Sequence, residues 1–582
     1  MARKAPVARA TVPTYKILGE IPVSHRVPTH LYTGVAMADL DNLPEGSTHS
    51  DLEKDQRERP RELHRVKSTG VEELPQNQVS FPLSLDGDEK ETPGPTEAQS
   101  HSYEVKEIAT SEGSIKKYKL VTFSPSDLEN PKNFSPARKW LITMTLAWTC
   151  FAVAFSSSVI TPGIGGVAER FGTSEEVALL TITLFVIGFG VGPLVFSPLS
   201  ELYGRWIIYV STFGVAVIFM IPCAVAQNIQ TLLVCRAIDG IAISVPVANI
   251  GGTLADLWRQ EERGVPMAVF SAAPFLGPIF GPLIGGFTYE NLGWRWLYYL
   301  QLILTGFLYA CMLLFVPETY APTILSRRAK KLRKTTGDDS YAAEHELIQH
   351  SFKHIAQVYL ARPLRLLFTE PIVTLFSLYA AVLYGLIYMF FVAYPLVFGE
   401  GKGFSAGITG LMFLPITGGI MIGVCCAPLV NRHYLSLRAK HQGMPPPELR
   451  LIPMIFSAWS IPIGMFIFAW TSYPRLSWVG PCLAGFPIGL GFVFLYNALN
   501  NYIVDSYQHT AASAVAAKTL IRSIWGACTV LFTIQMYDNL GYQWASSLLA
   551  FIALACCLIP ILLYYQGPAI RKHSKFAYSG ED

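Results

Sequence analysis

The chain has 582 residues, of which 51% are hydrophobic and only 15% are charged, whereas about a quarter of the residues in soluble proteins are charged. This composition excludes an ordinary soluble protein and predicts a polytopic membrane protein. The net charge of +3 is close to neutral for this length, so no nucleic-acid partner is indicated.

The ten cysteines all fall within apolar segments, and none has the spacing of a metal site. They predict buried thiols, with neither disulfides nor a metal. The first thirty residues lack the apolar core and cleavage site of a secretory signal peptide. No phosphate-binding loop of the G-x-x-x-x-G-K-[ST] kind is present, so we expect no nucleotide and no other cofactor.

Residues 1–139 are polar and proline-rich, with mixed charge runs and no helical or alternating apolar period. Such a composition buries too little apolar surface to fold, so we predict a disordered cytoplasmic tail. Asn133-Phe134-Ser135 fits a glycosylation acceptor, which a cytoplasmic tail could not use.

Twelve apolar stretches follow, each about long enough to cross the hydrocarbon core of a bilayer. They form two groups of six in residues 140–316 and 371–566, with a charged linker at 317–370 and a short cytoplasmic tail at 567–582. The predicted spans are Trp140–Pro162, Val177–Leu199, Trp206–Ala226, Thr231–Leu254, Gly264–Thr288, Trp294–Val316, Pro371–Phe398, Ile408–Val430, Leu451–Trp470, Trp478–Asn501, Ala511–Met536 and Trp544–Tyr565. Many secondary transporters with internal doubling place a substrate site between the two halves.

Lysine and arginine are concentrated on one side of these spans. They occur in the linker, in the loop Arg432–Arg450 and near the end of the chain, whereas the opposite loops keep only Arg170, Arg295, Lys402 and Arg475. Because positively charged loops stay in the cytoplasm, we predict that both ends of the chain are cytoplasmic.

A short charged loop separates the second and third predicted spans. It contains Glu201, Gly204 and Arg205. Gly204 allows a turn that a residue with a β-carbon resists, and Glu201 and Arg205 can pair at the cytoplasmic rim. The alternative interpretation is a plain turn with an ion pair at the rim.

The fourth predicted span contains an arginine and an aspartate, Arg236 and Asp239, which share a helix face because they are three residues apart. An ionisable residue inside a span is costly, and its first interpretation is functional. Asp239 is therefore the leading candidate for a proton-carrying group, with Arg236 as its partner. A permanently ionised, purely structural pair is the alternative.

Glycine and proline each recur at every fourth position of the fifth predicted span, at Gly277, Gly281, Gly285, Pro274, Pro278 and Pro282. One face of this helix has almost no side chains, which lets a neighbouring backbone approach closely in lipid. A tight helix contact with no further role would explain the pattern as well.

Together these motifs resemble those of the fungal twelve-span drug:proton antiporters of the major facilitator superfamily. Gly277-x-x-x-Gly281-Pro282-x-x-Gly285-Gly286 is similar to the antiporter motif of the fifth helix. The residues of the loop after the second span, and Arg236-x-x-x-Gly240 in the fourth, match further family motifs. The resemblance extends over about 128–577 and includes the segments at 127–140, 317–325 and 511–523. It departs from the family pattern at Ser197, Trp206 and Lys518.

The resemblance implies the major facilitator fold, an all-α membrane protein of two six-helix bundles that rock about a central site. It also implies a gate at the cytoplasmic rim, where Asp256 at the end of the fourth span can neighbour Arg205. Protons and a small-molecule substrate are the expected partners, within the lipid bilayer, and we expect a monomer.

Aromatic and amide side chains of the second half are the candidate substrate contacts, at Tyr384, Tyr388, Tyr496 and Asn497. Tyr384 and Tyr388 lie one helical turn apart near the middle of the seventh span. Tyr394 is nearer the end of that span, where tyrosine is more often an interfacial anchor.

One further position, Val392, bears on the substrate. The antiporters that the chain resembles often carry glutamate where this chain has Val392, so a polycation has less to pair with and a neutral or weakly acidic molecule is favoured. Lys518 and Arg522 are expected near the cytoplasmic face, where they can extend to water or to anionic headgroups.

The sequence thus predicts a proton-coupled exporter of toxic compounds, drugs or a fungal secondary metabolite in the plasma membrane. A polyamine or cation:proton exporter of the same fold is one alternative, and a non-transporting membrane receptor is another. A membrane-embedded enzyme is disfavoured, because the spans show no His, Asp or Cys constellation at catalytic spacing.

Overall fold

The computed structural model describes residues 103–109, 115–259, 262–347, 361–440, 446–507, 510–574 and 576. The predicted disorder of residues 1–102 therefore concerns residues outside the described part of the chain. Within that part, eleven helical segments are long and apolar enough to cross a membrane.

The first six spans are helices joined by short connections, and two of them are interrupted. The first span is Pro136–Ser156 followed by the turn Thr161–Gly163 and the helix Ile164–Phe171, and the fourth is Ile229–Ile243 followed by Val245–Leu257. The others are Glu175–Tyr203, Arg205–Ala224, Gly264–Leu292 and Trp294–Phe315. We call these six spans the first half.

The second half begins with the seventh span, Pro371–Tyr394, which continues as a π-helical turn at Pro395–Glu400. The eighth span is Ala406–Leu411 and Leu414–Lys440. The ninth runs through Pro447–Arg450, Leu451–Ala458 and Ser460–Thr471, and the tenth through Val479–Leu483 and Gly485–Ser506. The last helices are Ala511–Cys556 and Leu558–His573.

The helix Ala511–Cys556 contains a chain reversal at Gly541. Its 46 residues would extend about 70 Å at the α-helical rise, more than twice the thickness of the hydrocarbon core. Gly541 has φ 76° and ψ 157°, and the hydroxyls of Tyr537 and Ser546, nine residues apart, lie within 3.0 Å of each other across it. The last apolar segment therefore holds the eleventh and twelfth spans, as the sequence predicts.

Part of the predicted disordered tail is ordered, so that prediction is wrong for residues 103–109 and 115–139. Strands β1 (Tyr103–Ala109) and β2 (Ile115–Val121) form an antiparallel pair, and β2 also pairs in parallel with β3 (Tyr341–Ala342) from the linker. The linker strand lies more than 200 residues further along the chain, so no local sequence pattern of the tail could indicate this pairing.

Ion pairs tie the same tail to the linker helix Ala321–Thr336. Arg328 lies 2.6 Å from both Asp127 and Glu129, and Lys119 lies 2.8 Å from Asp338. Two shorter linker helices are Glu344–Leu347 and Arg362–Thr369.

The two halves meet along two pairs of spans, the second with the eleventh and the fifth with the eighth. Because the spans run alternately up and down, the linker and the start of the first span lie at the same end of the bundle. We call this the linker end and the other the opposite end.

Candidate functional site

A cavity of about 640 Å³ lies between the two halves, within the range of small-molecule sites. The first half contributes Phe189, Asn249, Phe270, Phe275 and Ile279 to its wall, and the second half contributes Phe391, Phe413, Phe492 and Asn500. Most of this wall is aromatic or aliphatic. The cavity extends to Glu201, Arg205 and Pro363 at the linker end.

At the opposite end the halves are in contact. Glu290 at the end of the fifth span accepts a hydrogen bond of 3.0 Å from the backbone N–H of Gly407 in the eighth. Gln535 of the eleventh span donates to Glu176 of the second over 2.8 Å. The cavity therefore reaches the linker end, while contacts between the halves cover the opposite end.

The four predicted substrate contacts all line this cavity: Tyr384, Tyr388, Tyr496 and Asn497. The hydroxyls of Tyr384 and Tyr388 lie 3.4 Å apart. Tyr394 is fully buried and is not among the described lining residues; its ring packs 4.3 Å from that of Phe413 and parallel to that of Phe468 at 5.5 Å. Val392 is also buried outside the lining, so its identity bears only indirectly on the substrate.

Lys518 and Arg522 do not extend to water or headgroups, and that prediction is wrong. Lys518 is fully buried, and Arg522 is 7% exposed and lines the cavity. The eleventh span begins at Ala511, so at the helical rise these residues lie about 10 and 16 Å from its start, toward the middle of the membrane. The sequence pattern predicted the helix correctly but not the depth of these residues within it.

Arg236 and Asp239 form a buried hydrogen-bonded cluster in the first half. Nη1 of Arg236 lies 2.9 Å from Oδ2 of Asp239, and both side chains are fully buried. The guanidinium also donates to the backbone carbonyls of Ser156 over 3.0 Å and of Thr181 over 3.3 Å. Gln301 donates to Oδ2 of Asp239 over 3.4 Å. The cluster thereby connects the first, second, fourth and sixth spans.

Neither residue of this pair lines the cavity among the residues that the structure describes. Oδ1 of Asp239 is buried without a hydrogen-bond partner in the same part of the chain. Among the described lining residues, Glu201 is the one carboxylate. The structure thus separates the leading candidate for proton carrying from the space that a substrate could occupy.

The predicted gate residues meet at the linker end. Nε of Arg205 lies 3.4 Å from Oδ2 of Asp256, and its Nη1 donates to the hydroxyl of Ser200 over 3.1 Å. Gly204 between the second and third spans has φ 103°, a conformation that residues with a β-carbon rarely adopt. Glu201 and Arg205 both line the cavity there.

The glycines of the fifth span contact the first span of the same half. A β-carbon on Gly277 would lie 2.6 Å from the carbonyl oxygen of Phe151, and one on Gly281 would lie 2.8 Å from the nitrogen of Val159. Gly285 faces the carbonyl of Val159 as closely. Backbone therefore packs directly on backbone, as the sequence pattern predicts.

The end of the same motif faces the other half. A β-carbon on Gly286 would overlap the carbonyl of Ala406 at the start of the eighth span, and the carbonyl of Pro282 lies 2.5 Å from the β-carbon position of Gly410. The fifth span therefore packs against the first span of its own half and against the eighth span of the other half. The second of these contacts lies at the opposite end, where the halves touch.

The sequence profile of the Major Facilitator Superfamily matches residues 146–530, more than half of the chain. The chain belongs to this superfamily. It is 58% identical over 470 residues to the transporter paaT of Penicillium rubens, covering 81% of this chain and 86% of that protein. It is 42% identical over 468 residues to the efflux pump FUB11 of Gibberella moniliformis, covering 80% of this chain and 79% of that protein.

A solved structure has the same fold. The human organic anion transporter MFSD10 aligns with a TM-score of 0.50 and 16% identity, over 73% of this chain and 100% of that one; at this identity only the fold is shared. Membership of the Major Facilitator Superfamily makes this chain a multi-pass membrane transporter and not an enzyme.

Sequence reasoning missed Glu318, which lies beside the predicted gate residue Arg205. One oxygen of its carboxylate accepts backbone hydrogen bonds from Arg205, Thr319 and Tyr320 over 2.9 to 3.0 Å, and the other accepts one from Trp206 over 3.3 Å. Glu318 thus caps the start of the third span, although it lies far from that span in the sequence. The available signal was that this span begins directly after Gly204, with no side chain able to cap it.

Cysteine placement differs in part from the prediction. The described cysteines are free, and Cys150, Cys223, Cys235, Cys482, Cys556 and Cys557 are buried, but Cys425 and Cys528 are exposed on the surface of the spans. An apolar segment predicts membrane insertion of the whole helix, and it does not say which face is turned to lipid.

Proposed function

We propose that this chain is an efflux transporter that moves small organic molecules out of the cytoplasm by alternating access. The cavity between the halves carries this proposal, because it extends to one end of the bundle while contacts cover the other. Rocking of the halves would reverse that arrangement, as in transporters built from two repeats. The similarity to the efflux pump FUB11 supports export as the direction.

The linker end is proposed to be the cytoplasmic side of the plasma membrane. Support comes from the linker helix, in which Arg327, Arg328, Lys330, Lys331, Arg333 and Lys334 lie within eight residues, since basic segments are retained in the cytoplasm. In this orientation the structure is inward-facing, and both ends of the chain are cytoplasmic. The proposed domains remain those predicted from the sequence, at 140–316, 317–370 and 371–566.

Proton exchange is the proposed source of energy, with Asp239 as the carrier and Arg236 as its partner. A buried carboxylate oxygen without a donor, such as Oδ1 of Asp239, costs about 1–3 kcal/mol. Protonation would remove the charge of Asp239 and weaken its hold on Arg236, which contacts three other spans. Proton binding would in this way change the packing of the first half.

A liposome experiment tests the proposal. The purified full-length chain is sealed into liposomes with an imposed pH difference, and a panel of fluorescent toxic compounds is followed. We expect accumulation that collapses when a protonophore removes the gradient, with empty liposomes as the control. If no compound moves under any pH difference, the chain is not a proton-coupled exporter; binding without movement would favour the receptor alternative.

The polyamine alternative has its own test. The cavity wall contains Arg522 and, at its linker end, Arg205, and fixed positive charges repel a polycation. We expect spermidine tolerance to be equal in fungal cells with and without the chain. A clear gain in tolerance would instead favour a polyamine exporter.

A further inference from the structure

Arg522 presents a buried positive charge to the cavity. Its side chain is 7% exposed and lines the cavity, and its Nε is buried without a hydrogen-bond partner among the described residues. None of the ion pairs in this part of the chain includes Arg522. Taking a charge out of water is expensive unless an opposite charge or hydrogen bonds compensate for it.

The contacts that Arg522 does make are with aromatic faces. Its guanidinium carbon lies 4.5 Å from the ring centre of Tyr384 and 5.5 Å from that of Tyr496. Such cation–π contacts stabilise the charge by about 0.5–2 kcal/mol, but they leave the N–H of Nε without an acceptor among the described residues. A planar guanidinium is suited to a carboxylate, which it can bind through two parallel hydrogen bonds.

A second buried cation, Lys518, also contacts Tyr496. Nζ of Lys518 is 4.6 Å from the centre of the Tyr496 ring and donates to Oδ1 of Asn500. No ion pair among the described residues includes Lys518 either. Two cations thus share one region, and the carboxylate of the described lining, Glu201, lies at the linker end beside Arg205, whose ion pair is with Asp256.

Aromatic rings pack beside Tyr496, which Arg522 contacts. The rings of Phe492 and Tyr496 are nearly parallel, with an angle of 14° and centres 6.0 Å apart. Phe275 from the first half presents its ring edge-on to both, at 5.4 and 5.2 Å. This arrangement offers flat apolar surfaces from both halves close to the positive charge.

We infer that the cavity binds its substrate as an organic anion, a small carboxylic acid in ionised form with a flat apolar body. Its carboxylate would bind the guanidinium of Arg522, with Lys518 strengthening the field, and its body would lie against Phe275, Phe492 and Tyr496. This inference rests on the proposed function, in that it takes the cavity as the transport site.

A matched series of ligands tests the inference by binding alone. The purified full-length chain in lipid nanodiscs is titrated calorimetrically with 2-naphthoate, the neutral 2-naphthamide and the cationic 2-naphthylmethylamine, which share one ring system. We expect naphthoate to bind at least tenfold more tightly than the other two. The inference is wrong if naphthoate does not bind, or binds no more tightly than the amide.

Substitutions of Arg522 test whether this residue causes the tighter binding of naphthoate. Arg522→Gln should weaken naphthoate binding at least tenfold and leave the amide unchanged, and Arg522→Lys should recover part of the loss because it restores the charge. Arg432→Gln, an exposed arginine at the end of the eighth span, is the control of equal charge change and should bind as the wild type does. Equal naphthoate binding by wild type and Arg522→Gln would overturn the inference, and thermal melting of each variant identifies misfolding.

Transport measurements distinguish a failure of the anion site from a failure of the proposed efflux function. Naphthoate binding that depends on Arg522, without movement across liposomes, would reject efflux and retain the anion site. Movement of naphthoate and of neutral compounds that is equal in wild type and Arg522→Gln would retain efflux and reject the anion site.

Discussion

A single carboxylate, that of Glu318, organises the turn between the second and third spans. It accepts four backbone N–H groups, two of them at the first residues of the third span, Arg205 and Trp206. Free N–H groups at a helix start need acceptors, and a negative charge there also interacts favourably with the helix dipole. Glu318 therefore fixes the position of Arg205, whose side chain faces Asp256.

Glu318→Gln should destabilise the protein, because an amide has one accepting oxygen in place of two and carries no charge. Hydrogen bonds to charged groups contribute about 1.5–3 kcal/mol each, so we expect a melting temperature lower by several degrees. Glu169→Gln, at an exposed glutamate in the helix Ile164–Phe171, should melt as the wild type does. Unchanged melting of Glu318→Gln would show that the cap contributes nothing.

Asp239→Asn should abolish proton-driven transport and leave exchange of substrate across the membrane without a gradient. The asparagine keeps the shape of the side chain but cannot titrate, so coupling is lost while the cavity, which Asp239 does not line, is unaffected. Gradient-driven accumulation should fall at least about tenfold. Glu201→Gln is the comparison, since Glu201 lines the cavity; loss of coupling in that variant alone would assign the proton to Glu201.

At the scale of elements, the fifth and first spans depend on direct backbone contact. Gly281→Leu places a side chain where even a β-carbon would lie 2.8 Å from the nitrogen of Val159, so the helices must separate. We expect transport below a tenth of wild type and a lower melting temperature. Gly306→Leu in the sixth span is the matched control, because a β-carbon there meets nothing within 4 Å. Normal transport by Gly281→Leu would make the contact dispensable.

The sheet between tail and linker should loosen in acid. Lys119 and hydrogen bonds from Ser340 lower the pKa of Asp338 from 3.8 to about 2, so the folded state favours its ionised form. This contribution is complete above the ordinary pKa and disappears as pH falls from about 4 toward 2. Spin labels at 117 and 339 should report a broader distance distribution over that interval. Asp338→Asn should reduce the pH dependence to the part that the ion pairs of Asp127 and Glu129 with Arg328 contribute; an identical response of both proteins would exclude Asp338.

Periodic and compositional signals in the sequence predicted the helices of this fold well. They predicted poorly which distant segments contact one another. The glycine repeat at 277, 281 and 285 indicates close helix packing because the signal is local. The pairing of β2 with β3, the capping by Glu318 and the depth of Arg522 all depend on which distant segments come together. Placement of Tyr384 and Tyr388 on the cavity could be predicted because both lie mid-span on one helix face.

On the scale of the whole molecule, the halves touch at the opposite end through Glu176 and Gln535, 2.8 Å apart. Cysteines at these two positions, joined by a short thiol crosslinker, should hold the halves in this state and stop transport. Removal of the linkage should restore it. The background protein needs Cys425 and Cys528 replaced by serine, since both are exposed. Undiminished transport by the linked protein would show that this end does not open.

The connections at the opposite end are uniformly short, with Gly293 alone between the fifth and sixth spans and a reversal at Gly541 between the last two. In the proposed orientation only short loops would connect the spans on the outer face of the cell. Secreted proteases would then find few loops to cleave, and we expect cleavage or modification on the cytoplasmic side, where the linker lies in this orientation.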